Sequence, residues 1–165
     1  MIIPGIGRFG QIVNRLVQLS GFKTVVLDQD IKKNDLLRKF GTKGFLGDPT
    51  RAQTLRAAGL LDAQILVVAL DHPAACLRLV KLARRARPSL HIISRAYDRN
   101  QAFALYKAGA DDIVRETFDT SLRAGRYSLE NLGLTDYEPD EPAKTFYQHD
   151  REAMQDLAKL WDPKF

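Results

Sequence analysis

Three glycines, Gly5, Gly7 and Gly10, follow a short apolar strand and open a helix in a G-x-G-x-x-G spacing. Each has its own task there: a tight turn, close backbone approach to a pyrophosphate, and close helix–strand packing. The helix start behind them offers unpaired N–H groups and a partial positive charge to an anion. Asp28 ends the next β-branched run, 18 residues after Gly10, where a carboxylate accepts hydrogen bonds from ribose hydroxyls. The same carboxylate repels a 2′-phosphate, so the pattern predicts NAD(H), ADP-ribose or AMP rather than NADP. The bland alternative is a glycine turn beside a surface aspartate, and the strand–turn–helix context speaks against it.

Further acids and arginines stand at the carboxyl ends of later strands, and each admits two readings. Asp48, in Gly47-Asp48-Pro49-Thr50, is either the cap of the next helix or a neighbour of a bound adenine. Asp71, in Asp71-His72-Pro73, has the same ambiguity, since that triplet is also a good helix start. Arg95 and Arg115-Glu116 follow strands five and six, where a guanidinium suits a carboxylate or phosphate; a structural salt bridge is the other reading. Arg15, off the apolar face of the first helix, is a solvated arginine or a ligand contact.

Catalytic constellations are missing. His72, His91 and His149 have no ligand spacing with carboxylates, and the single cysteine, Cys76, excludes a cysteine-built zinc site. Cys76 lies on the apolar face of a helix, where it reads as packing. Tyr106-Lys107 lacks the Tyr-x-x-x-Lys spacing of a short-chain reductase.

The elements that must position these groups follow from periodicity. Ile2–Ile3, Thr24–Leu27, Gly44–Leu46, Ile65–Leu70, His91–Ser94 and Asp112–Val114 read as strands, separated by helix-period segments. This predicts an α/β chain: a Rossmann-like, doubly wound, six-stranded parallel sheet with a C-terminal crossover helix and tail. Phe9, Ile12, Val13, Leu16, Val17 and Leu19 share one face of the first helix, expected to be its buried one. Thr117–Leu132 reads as the crossover helix, 135–142 as a linker, and Arg151–Leu160 as a last short helix. Pro4 breaks the pattern, because proline cannot donate to a sheet ladder; either its N–H position is unpaired or it bends the phosphate loop.

Hydrophobic residues at 45% and charged residues at 27% exclude a disordered tail or a coiled-coil rod. The longest apolar run, Ile65–Leu70, is far short of the ~20 residues that cross a bilayer. One cysteine and no recognisable leader suggest a reducing compartment. Residues 1–133 carry a net charge of +9 and residues 134–165 a net −4, a basic body with an acidic tail. The body attracts an anion, or the tail lies across it; nucleic acid fits poorly, because the cations lack interleaved aromatics.

The stretches Ile2-Ile3-Pro4-Gly5-Ile6-Gly7-Arg8-Phe9-Gly10-Gln11, Val25–Asp30, Leu37–Gly41, Gly47–Arg51 and Arg115–Phe118 occur in order. Together they resemble the cytosolic regulatory domain (RCK, KTN or TrkA-N) of Kef-type glutathione-gated potassium efflux systems. The resemblance implies a non-enzymatic sensor on the cytoplasmic side of the inner membrane. Such a sensor binds NAD(H) or AMP, pairs as a homodimer, and gates a transmembrane cation/proton antiporter in response to glutathione or its adducts. An ancillary flavin oxidoreductase is a further implied partner. Carried over by position, the nucleotide contacts are Gly5, Gly7, Arg8, Gly10, Asp28, Asp30, Asp48 and Asp71. The glutathione contacts are Arg15, Phe40 and Arg115, with Asp150 where the family has asparagine. A carboxylate there opposes an acidic tripeptide. Pro4 and Pro49 replace family alanines. The resemblance divides the chain into a nucleotide-binding part (1–115), a crossover and dimerisation helix (116–134), and an acidic linker with a short helix (135–165). Competing readings are a small NAD-dependent oxidoreductase and a nucleotide-only regulatory subunit of another potassium transporter or channel.

Overall fold

The computed structural model describes residues 1–32, 43–134 and 140–161. Six strands, β1 (Ile2–Pro4), β2 (Val25–Asp28), β3 (Lys43–Leu46), β4 (Ile65–Val68), β5 (His91–Ala96) and β6 (Asp112–Arg115), form one parallel sheet in the order β3-β2-β1-β4-β5-β6. The strand order reverses between β1 and β4, so a ligand crevice opens at their carboxyl ends. Between the strands run α1 (Arg8–Leu19), α2 (Ala52–Ala57), α3 (Pro73–Ala86) and α4 (Arg99–Ala108), followed by α5 (Phe118–Asn131) and α6 (Asp140–Leu160). Among the described residues no helix is long and apolar enough to cross a membrane.

Two apolar layers cover the sheet. Leu55 of α2, Leu79 and Ala83 of α3 and Leu105 of α4 pack on one face, where the expected inner stripe of α3 is buried. Ile3, Ile6, Val26 and Val67 form the other layer, under Phe9 and Val13 of α1. Arg84 stitches the first layer's edge: its guanidinium donates to the carbonyls of Pro88, Leu90 and Gly109 and to Asp111. Arg84 at the end of α3 therefore binds neighbouring carbonyls, beyond complementing the helix dipole.

Pro4 is a full member of the central strand, facing Leu27 in register. Its carbonyl accepts from Ala69 N (2.9 Å), and Gly5 N donates to Leu27 O (2.8 Å), so the ladder continues past the missing N–H. Gly5 then turns with φ +94°, and a Cβ on it would stand 2.6 Å from Ala69 O. A Cβ on Gly10 would overlap Gly5 O, so α1 rests directly on the turn.

That close approach corrects the expected orientation of α1. The buried positions are Gly10 and Asn14, whose Oδ1 accepts from Thr24 Oγ1 (2.6 Å). Turning this small, polar line inward rotates the apolar stripe partly out: Ile12, Leu16 and Leu19 are 71%, 66% and 80% exposed.

The tail differs from expectation as well. The last helix starts at Asp140, eleven residues before the expected Arg151, and absorbs part of the expected linker. Pro142 lies in its first turn, where the backbone N–H has no intrahelical partner to lose. Met154 and Ala158 are buried against α4, and Trp161 meets Phe103 with ring centroids 6.1 Å apart. Helix α5 holds its expected place and ends at Asn131, with Gly133 (φ +102°) turning the chain just past its cap, but buries none of its residues.

Two glycines test this packing. Gly10→Ala should lower stability to urea by about 1–3 kcal/mol through overpacking. Gly125→Ala, in open space inside α5, should raise it by about 0.5–1 kcal/mol.

Candidate functional site

A crevice of about 210 Å³ opens at the carboxyl ends of β1, β2 and β4, lined by Gly5, Gly7, Asp28, Asp48, Thr50 and Asp71 among others. Gly7 precedes α1 in extended conformation and makes no side-chain cap, so the first N–H groups of the helix remain available to an anion. Asp28 braces the turn above: its Oδ2 accepts from Ile6 N (3.0 Å) and its Oδ1 from Asp30 N (2.9 Å). Asp48 Oδ1 accepts from the Thr50 N–H (2.8 Å) and hydroxyl (2.7 Å). Those bonds, the hydroxyl's first, hold the Asp48 carboxyl below its ordinary range and keep it ionised. Asp48 thus closes the turn at Thr50 and lines the crevice; it does not cap α2, whose N-cap is Arg51 without a side-chain bond.

Asp71 faces Gly7 and pairs with Arg95, whose Nη1 lies 2.6 Å from Asp71 Oδ1. The same guanidinium binds Glu116 and stands over the Phe9 ring, 5.6 Å from its centroid. Burial alone would favour loss of the Arg95 proton, but the hydrogen bonds and charges of Glu116 and Asp71 outweigh it and raise its pKa. The salt-bridge reading of Arg95 holds, and the bridge links the crevice to the start of α5.

The structure therefore brings together five of the eight nucleotide positions: Gly5, Gly7, Asp28, Asp48 and Asp71. Gly10 supports them from behind. Arg8 and Asp30 lie outside the lining, and Asp30 Oδ1 accepts from Lys32 N (2.9 Å). Thr50 and His72 line the crevice without having been singled out, although both lie in turn motifs read as helix starts.

A second cavity of about 250 Å³ lies between β6, α4 and the facing sides of α5 and α6. Arg115 and Asp150 form an ion pair inside it, each side chain only 13% exposed. The Arg115 guanidinium also covers the Phe118 ring at 4.1 Å, and Phe118 meets Phe146 and Tyr147 with centroids 6.0 Å away. Arg15 stands exposed on α1 and does not line this cavity; Phe40 lies outside the described residues. Among the described residues no group of His, Cys, Asp and Glu is arranged to hold a metal. His91 is taken up by Asp112 at 2.8 Å.

The crevice, its glycine turn and its acid at the end of β2 define a Rossmann-type nucleotide-binding domain. Residues 1–116 match the TrkA-N domain family, and residues 120–164 match the potassium efflux system KefB C-terminal domain. The chain belongs to the TrkA-N domain family. It is 43% identical over 162 residues to the glutathione-regulated potassium-efflux system protein KefC of Enterobacter sp. (strain 638), covering 98% of this chain and 26% of that protein. It thus spans about a quarter of the curated relatives it matches. The Kef C-terminal domain of Shewanella denitrificans, solved in its AMP-bound form, superposes with a TM-score of 0.86 at 38% identity over 98% of both chains. The TrkA-N domain of the Escherichia coli inner membrane protein ybaL, at 24% identity, shares the fold with a TM-score of 0.72 over 79% of this chain and 94% of that one.

Beneath the crevice, Cys76 donates from Sγ to Leu70 O (3.2 Å), and burial pushes its thiol up from 9.0 to about 11. The unfolded thiol ionises first as pH rises, so this group's contribution to stability falls between about pH 9 and pH 11. At pH 7.5, N-ethylmaleimide should alkylate the native protein at least about a hundredfold more slowly than the urea-unfolded chain. A fast native reaction would show that Cys76 is reachable and reactive.

Proposed function

We propose that this chain is a non-enzymatic regulatory domain that gates a potassium/proton antiporter from the cytoplasmic side of the inner membrane. AMP or NAD(H) occupies the crevice at β1, β2 and β4. The observation that carries this reading is the crevice itself: a glycine turn, an open helix amino terminus and Asp28 stand together. The AMP-bound Kef relative supports it.

The domain works as a homodimer. In support, α5 buries none of its own residues, while Ile12, Leu16 and Leu19 of α1 stand uncovered in the single chain. Arg15 lies on the same helix, so a second copy covering α1 would bring Arg15 into the interface. An anionic peptide of the glutathione class then sits between Arg115 of one copy and Arg15 and Phe40 of the other. It regulates by binding one of two dimer states more tightly. In this chain Asp150 already holds Arg115, so the peptide must displace an internal carboxylate.

Two titrations test the reading. By calorimetry AMP and NADH should bind, with NADPH about ten- to a hundredfold weaker than NADH because its 2′-phosphate meets Asp28. Tighter NADPH binding would sink the nucleotide assignment. Glutathione should bind weakly to the wild type and at least about tenfold more tightly to Asp150→Asn, which frees Arg115 of its counter-charge. Absence of millimolar binding to both proteins would remove the peptide from the proposal and leave the nucleotide site standing.

A further inference from the structure

The open groove between α2 and α3, about 570 Å³, carries a charge pattern the nucleotide reading does not use. Arg78, Lys81 and Arg85 stand along α3 at i, i+3 and i+7, and Arg56 faces them from α2. All four are exposed, and none takes part in an ion pair among the described residues. The reason is visible in the chain: no Asp or Glu occurs from Pro49 to Leu61 or from His72 to Tyr97. Solvated helix faces ordinarily intersperse both signs, which adds i,i+4 pairs. This face is of one sign. Arg84 and Arg87, on the same stretch, are taken up by backbone carbonyls, so the four groove cations are the unengaged ones.

We propose that this face docks on the anionic phospholipid headgroups of the membrane beneath which the domain works; the proposal rests on the regulatory-domain reading above. Arg78 and Arg85 are spread over about 10 Å of helix, too far apart to converge on one phosphate. An array of separate, singly charged phosphates matches that spread, and a lipid leaflet presents one. Leu60, Leu82 and Ala86 line the groove, and no aromatic side chain is among its lining residues, so it lacks the stacking platform of a nucleic-acid groove. Because α3 runs back across the sheet, Arg85 and Ala86 stand at the edge where β5 begins, opposite the nucleotide crevice, while the other end of the groove reaches Thr50, which also lines the crevice. The cations along α3 thus lie on the far side of that shared residue, and the AMP titration on vesicle-bound protein reads whether the two ligands are bound together.

The test is sedimentation of the intact chain with vesicles of phosphatidylcholine alone or containing phosphatidylglycerol, with AMP titrated calorimetrically on the same samples. Binding is expected only to the anionic vesicles, weakening as salt rises. Arg78→Ala and Lys81→Ala should each weaken it about fivefold, and Arg78→Glu/Lys81→Glu should abolish it without changing AMP affinity. Lys23→Glu/Arg123→Glu, an equal charge change away from the groove, should leave most of the binding in place. Equal losses in the two double variants would overturn the proposal by reducing it to net charge. Absence of anionic-vesicle binding with AMP still bound would also overturn it. Vesicle binding without AMP binding would support the lipid face while the nucleotide reading fails.

Discussion

The contact of α1 with the turn between β1 and itself is the constraint on which the site depends. Gly10 lies against the carbonyl of Gly5, and Gly5 lies against the backbone of Ala69 on the neighbouring strand. No side chain fits at either place. Because α1 sits so low, its amino terminus reaches the crevice, where its free N–H groups form a fixed positive end at the switch point. The same contact turns Asn14 inward and moves Ile12 and Leu16 outward. One steric requirement thus shapes the anion site and exposes an apolar helix face.

Around that positive end the crevice is acidic. Asp28, Asp48 and Asp71 line it, each with a hydrogen bond or ion pair of its own. Asp28 ties the glycine turn to β2 and Asp48 closes the turn after β3. Asp71 is balanced by Arg95, which also holds Glu116 just ahead of α5. The contacts Asp71–Arg95–Glu116 thus run without a break from the nucleotide crevice to the residues just ahead of α5.

The second cavity shows how one side chain alters a site. Arg115 is held from one side by Asp150 and covered on its face by Phe118, so its charge is satisfied within the chain. An amide in place of Asp150 would leave most of that charge for a ligand, because it offers a hydrogen bond and no counter-charge. Removing Asp150 from this mostly buried pair leaves the Arg115 charge to whatever anion is present.

The strands and the glycine turn were legible in the chain because they depend on local properties: β-branched runs, glycine spacing and an acid at the end of β2. So were the inner face of α3 and the stop at Gly133, which follow from periodicity and from backbone freedom. Three features depended on neighbours far away in sequence. Helix α1 has a strong apolar stripe, yet its orientation is set by contact with Gly5 and Asn14's bond to Thr24, which periodicity does not encode. Helix α6 extends back to Asp140 with Phe146 and Tyr147 against Phe118 of α5, while Met154 and Ala158 pack on α4; a short amphipathic segment judged alone gives no such support. Arg95 and Arg115 read from sequence as ligand contacts or salt bridges, and only folding supplied their partners, by placing carboxylates 21 and 35 residues away within reach. Local sequence determines which elements form and where backbone must approach closely, whereas the pairing of charges depends on which elements tertiary packing makes neighbours.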